Sequence, residues 1–112
     1  LDPAALFDKI VARLRGGCCY ELSGLFALLL EQLGFTVTRL AARVVNKDGT
    51  LGPEFDHLTL QVTCPDEANL SWLADVGFGD SFLEPLNFDE QGEQPDGLRA
   101  YRIEHANGQR WV

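Results

Sequence analysis

The stretch CYELSGLFALLLEQLGFTVTRLAARVV, residues 19–45, changes its apolar period halfway along, and that change decides the fold. Up to Leu33 the apolar residues Leu22, Leu25, Phe26, Leu28, Leu29, Leu30 and Leu33 fall on nearly every side of a helix, and Gly34 supplies a C-cap. The pattern predicts a helix from Cys19 to Leu33, buried round most of its circumference. Gly24 inside it is expected to be compensated by another backbone packed close against it. From Phe35 to Val45 the residues are rich in Val, Thr and Phe, so a strand follows directly. Asn46-Lys47-Asp48-Gly49 then reads as a turn.

Working outward, Asp2-Pro3 is an N-cap carboxylate followed by proline at the first helical position, and Leu6, Phe7, Ile10, Val11 and Leu14 recur at helical spacing. An amphipathic helix is predicted over 3–14, broken by Gly16-Gly17. Downstream, His57 to Cys64 alternates as a strand, with Leu58, Leu60, Val62 and Cys64 on one face and His57, Thr59, Gln61 and Thr63 on the other. Leu70 to Val76 is a third strand. Tyr101 to Ala106 and Gln109 to Val112 form a hairpin, joined by Asn107-Gly108 with the signature of a type I′ turn. Residues 87–97, NFDEQGEQPDG, are expected to be an acidic loop. Helices followed by strands indicate an α+β fold: a short N-terminal helical layer, residues 1–34, then an antiparallel sheet or partial β-barrel, residues 35–112.

The chain has 112 residues, 46% of them hydrophobic, enough for a real core within one domain or part of one. Seventeen acidic against nine basic residues leave a net charge of −8 with no basic window, which removes the electrostatic basis for nucleic acid or an anionic membrane. The apolar run around Leu28 to Leu30 is far short of the ~20 residues of a membrane span, and no signal-peptide pattern opens the chain. A cytoplasmic location is expected. Three cysteines, two of them adjacent as Cys18 and Cys19, fit free thiols in a reducing compartment. Methionine is absent even at position 1, so the chain is expected to be a piece of a longer protein.

Cys19 sits just past Gly16-Gly17 at the start of an apolar helix, where unpaired N–H groups and the helix dipole favour a thiolate. His57 opens a strand on its polar face, from which it can reach a cavity. Asp75 ends an apolar strand and precedes Val76-Gly77-Phe78-Gly79; a carboxylate there needs a hydrogen-bonding partner, and histidine is one. Together these are the residue types of thiol-based acyl transfer: a nucleophile, a base and an orienting acid, in a cysteine-protease-like Cys-His-Asp arrangement. His105, the other histidine, lies mid-strand in the hairpin. No metal site is expected, because neither Cys-x-x-Cys spacing nor a second nearby histidine is present.

Arg15-Gly16-Gly17-Cys18-Cys19-Tyr20-Glu21, then His57-Leu58-Thr59-Leu60, then Asp75-Val76-Gly77-Phe78-Gly79 with Pro85-Leu86, resemble the arylamine N-acetyltransferase family in order and spacing. The resemblance implies Cys19 as acyl acceptor, His57 as base and Asp75 as orienting acid. Arg15, Gly16, Gly17, Glu21, Gly77, Phe78 and Gly79 would support the site, with Arg15 and Glu21 as a charged pair. It further implies ping-pong acetyl transfer from acetyl-CoA, a co-substrate, to an arylamine or arylhydrazine, with no permanently bound cofactor. Family members are longer at both ends, and they usually carry an aromatic residue at the position of Cys18 and asparagine at that of Ser23. Two other outcomes are open: an amide synthase closing a polyketide macrolactam by the same cysteine chemistry, and a silent binding module of the same fold. Apolar surface in so short a chain also suggests a homodimer.

Overall fold

The computed structural model describes residues 2–112. Asp2 caps the first helix, its carboxylate accepting from the Ala4 amide at 3.0 Å, and α1 runs Pro3–Phe7. The predicted helix does not continue to residue 14 in α-form. Asp8–Ala12 winds in wider π-turns, with the Arg13 amide donating to Asp8 at 2.9 Å, and Leu14 ends the stretch at φ 53°. Val11 and Leu14 stand exposed, so no packing surface holds these turns to α-geometry.

The second helix, α2, runs Cys19–Gln32, and Gly34 leaves it at φ 96°, the left-handed conformation a C-cap glycine supplies. Its burial is narrower than the sequence suggests. Ser23 and Ala27 are its buried residues, whereas Leu29 and Leu33 are 53% and 64% exposed. The sheet covers only one side of α2, and no backbone approaches Gly24 within contact distance, so the expected compensation there is missing.

The main sheet is antiparallel in the order β1 (Thr36–Ala42), β2 (His57–Thr63), β3 (Ser71–Ala74), β4 (Leu86–Asn87). Register pairs Arg39 with Leu60 and Leu60 with Ala74, which directs these side chains toward α2. There Ala27, Leu60 and Val62 form a core with Phe26, Leu30, Phe35 and Val37 around it, and Arg39 reaches Glu31 of α2 at 2.6 Å. On the other face Leu73 packs with Phe82, Leu86, Phe88 and Ile103.

Two short hairpins follow: β5 (Gln94–Asp96) with β6 (Arg99–Tyr101), and β7 (Glu104–Ala106) with β8 (Gln109–Trp111). The acidic loop expected over 87–97 is therefore partly strand. Its Asp96 is buried because it accepts from the amides of Leu83 and Glu84 at 2.7 and 2.9 Å. Tyr101 belongs to β6 and not to the last hairpin, whose Asn107-Gly108 turn has positive φ at both residues, as a type I′ turn requires. The architecture is thus a small helical layer on antiparallel sheets. Among the described residues no helix is long and apolar enough to cross a membrane.

Candidate active site

The site lies where the start of α2 meets the start of β2 and the end of β3. Cys18 is the N-cap of α2 and Glu21 its third residue; Glu21 Oε1 accepts from the Cys18 amide at 3.0 Å, which fixes the first turn. The cation on Glu21 is Lys9, whose Nζ donates to both carboxylate oxygens at 3.0 and 2.9 Å. The pair expected between Arg15 and Glu21 is thus replaced, and Arg15 is exposed. Bonding to Lys9, then to the Cys18 amide, holds the Glu21 carboxyl below its ordinary range.

Cys19 begins the helix, half-buried, with Sγ 3.9 Å from the carbonyl oxygen of Asp56, the residue before His57. Cys18 is the more exposed thiol. His57 is buried, and its Nε2 lies 2.5 Å from Asp75 Oδ2. An ionised carboxylate only accepts, so a neutral ring bonded to one carries its proton on Nε2 and can accept from another group at Nδ1. The other oxygen, Asp75 Oδ1, accepts from the amides of Gly77 and Phe78 at 2.9 and 3.1 Å. The phenyl ring of Phe78 meets the imidazole edge-on, 5.3 Å between centroids.

Gly77 joins the two halves. A Cβ there would stand 2.7 Å from Cys19 Cα and 2.9 Å from Cys19 Cβ, so only glycine lets the segment after Asp75 lie on the Cys19 backbone. Gly17 is similarly tight against Glu21, at 3.0 Å from its Cβ, whereas Gly16 faces open space and Gly79 serves a turn at φ 90°. Ser23, one helical turn beyond Cys19, is fully buried beside Gly77, and its hydroxyl has no hydrogen-bond partner among the described residues.

The structure thus pairs His57 with Asp75 and sets Gly77 and the Asp56 carbonyl against Cys19, while His105 stays on the exposed hairpin beside Arg110. It adds residues that the sequence did not single out: Lys9 beneath Glu21, and Tyr20, whose hydroxyl donates to the carbonyl of Phe55 at 2.5 Å. Adjacency to Cys19 was the only available signal for Tyr20. A separate cleft of about 760 Å³, between β1, β2 and the last hairpin, is lined by Thr59, Gln61, Arg43 and Arg110 and not by the three site residues. Among the described residues no cluster of His, Cys, Asp and Glu is grouped to hold a metal.

The N-acetyltransferase family model matches residues 1–112. The arylamine N-acetyltransferase of Mycobacterium tuberculosis is 44% identical over 108 residues, covering 93% of this chain and 38% of that protein. A protein named proansamycin X synthase, from Amycolatopsis mediterranei, is 35% identical over 109 residues, 96% of this chain and 41% of that one. The solved structure of Mycobacterium marinum arylamine N-acetyltransferase in complex with CoA superposes with a TM-score of 0.86 at 37% identity, over 97% of this chain and 41% of its own. The chain spans about two fifths of the length of the curated relatives it matches.

Proposed function

The chain belongs to the arylamine N-acetyltransferase family, and from that premise we propose that it carries the acyl-accepting centre of an acetyl-CoA-dependent N-acetyltransferase. Residues 1–34 deliver the nucleophile Cys19, and residues 35–112 the base His57 and its orienting acid Asp75. The observation that carries this reading is the buried His57–Asp75 pair, one residue along the chain from the Asp56 carbonyl that Cys19 Sγ approaches at 3.9 Å.

His57 Nδ1 takes the Cys19 thiol proton, and the thiolate attacks the acetyl carbonyl carbon of acetyl-CoA. The carbon–sulfur bond to CoA breaks and CoA leaves with a proton returned from the imidazolium. An arylamine or arylhydrazine nitrogen then attacks the thioester on Cys19. The bond to Sγ breaks, and the proton lost by the nitrogen passes through His57 back to Cys19. Asp75 stabilises the imidazolium formed in each half. Gly77, Phe78 and Gly79 hold that carboxylate and the ring, and Gly16, Gly17, Glu21 and Arg15 frame the nucleophile's loop. The protein works in a reducing, cytoplasmic setting, where its three thiols stay free.

The test is mass spectrometry after incubation with acetyl-CoA or an aryl acetate. Wild type and Cys18→Ser gain one acetyl group, and Cys19→Ser gains none. Label lost in Cys18→Ser and retained in Cys19→Ser overturns the assignment. A second reading keeps the Cys19 thioester and places the accepting amine within the acyl chain itself, as in an amide synthase; 35% identity to proansamycin X synthase supports it, below the 44% to an acetyltransferase. Transfer of acetyl to a free arylamine selects the first reading.

A further inference from the structure

Phe55 lies two residues before His57, with a φ of 60° and an exposure of 68%. A bulky residue takes this left-handed conformation only when its surroundings hold it there. Burial of the phenyl ring cannot be the restraint, because the ring is in solvent. The loop from Gly52 to His57 is tied at its front end: Gly52 donates to Val44 at 2.8 Å, Arg43 Nε donates to Gly52 at 2.7 Å, and the Asp56 carboxylate closes over Gly52, where a Cβ would stand 2.4 Å from Oδ2. At its rear end two successive carbonyls, of Phe55 and Asp56, face the first turn of α2. The Asp56 carbonyl faces Cys19 Sγ, a weak donor, at 3.9 Å. The Phe55 carbonyl receives the Tyr20 hydroxyl at 2.5 Å.

We propose that Tyr20 is a positioning residue: its hydrogen bond to the Phe55 carbonyl holds the strained residue in place and so sets where His57 stands relative to Cys19. The inference rests on the acyl-transfer reading of Cys19 and His57. Nucleophile and base reside on different elements, α2 and β2, and Tyr20 is the neighbour of one and grips the approach to the other. Without the hydroxyl, Phe55 relaxes toward negative φ, and a backbone rotation two residues upstream swings the start of β2 away from α2.

The experiment is the rate of Cys19 alkylation by iodoacetamide at pH 6.5 and at pH 9.5, with a melting curve for each variant. At the lower pH the thiolate depends on the imidazole, and at the higher it forms without help. Tyr20→Phe is expected to alkylate about five- to tenfold more slowly than wild type at pH 6.5, the worth of one hydrogen bond, and equally fast at pH 9.5. Adding Phe55→Gly to Tyr20→Phe restores most of the loss, since glycine accepts φ 60° unaided. Phe55→Val keeps the tyrosine but resists that conformation, and it lowers the pH 6.5 rate in the same way; being at an exposed position, it remains informative if Tyr20→Phe fails to fold. Equal pH 6.5 rates in wild type and Phe55→Val, or in wild type and a folded Tyr20→Phe, overturn the role of Tyr20 alone. Wild-type Cys19 that alkylates no faster than free cysteine at pH 6.5 overturns the acyl-transfer reading and this inference with it.

Discussion

Asp75 uses its two oxygens for two different neighbours, and this division predicts how it responds to substitution. In Asp75→Asn the amide oxygen can keep the bonds from Gly77 and Phe78, which turns the NH2 group toward His57 Nε2. A donor facing Nε2 forces the ring proton onto Nδ1, the nitrogen that the proposed mechanism needs to accept from the thiol. The fold should survive with its melting temperature within a few degrees, while the proposed acetyl transfer falls by about 10²–10⁴-fold; unchanged alkylation of Cys19 at pH 6.5 would make the carboxylate purely structural. Gly77 makes the opposite prediction. A methyl group 2.7 Å from Cys19 Cα meets backbone and not a movable side chain, so Gly77→Ala should lose both stability and thiol reactivity, seen together in thermal denaturation and alkylation.

Among the elements, α2 carries the most, since its first turn presents Cys19, the proposed nucleophile, and its third packs Ala27 on the sheet. Lys9, acting first, and the Cys18 amide hold the Glu21 carboxyl below its unfolded value. Its contribution is complete above the unfolded value of about pH 4.3 and fades as the pH drops through the lower folded one. Removing the main cause in Lys9→Met should therefore flatten the loss of stability as the pH falls below the unfolded value, measured by urea denaturation. Leu60, fully buried between α2 and the sheet, should cost about 2–5 kcal/mol when cut to alanine. Signals confined to a few neighbouring residues were legible: Asp2-Pro3 starting a helix, Gly34 ending one, Asn107-Gly108 turning a hairpin, and the alternation of β2. The Lys9–Glu21 bond, spanning twelve positions, and the Tyr20–Phe55 bond, spanning thirty-five, leave no local trace. The candidate site residues were singled out by their motifs, and of them the structure joins His57 to Asp75 directly. Two-residue β4 and three-residue β5 were not legible, because so few residues show no period, and β5 is fixed largely by where Asp96 finds amides.

Taken whole, the molecule is a sheet with one face under α2 and the other under its C-terminal apolar cluster. Apolar residues that neither face absorbs include Phe7, Val11, Leu14, Leu29 and Leu33, in the helical layer or just beyond it, and others such as Leu83 and Leu98 in the loops of the β segment. The 112-residue chain by itself is expected to self-associate through that layer; light scattering that shows a stable monomer at tens of micromolar would refute this. The proposed chemistry needs the thiol of α2 beside the imidazole of β2, so it would be a property of docking rather than of any one segment. A molecule in which α2 has lifted from the sheet keeps every reactive atom but has the thiol of a small peptide. Enhanced alkylation measured through a denaturant series thus becomes a clock for that single interface, and the concentration at which the enhancement vanishes, compared with the global midpoint, tells whether helix and sheet part before the rest of the chain unfolds.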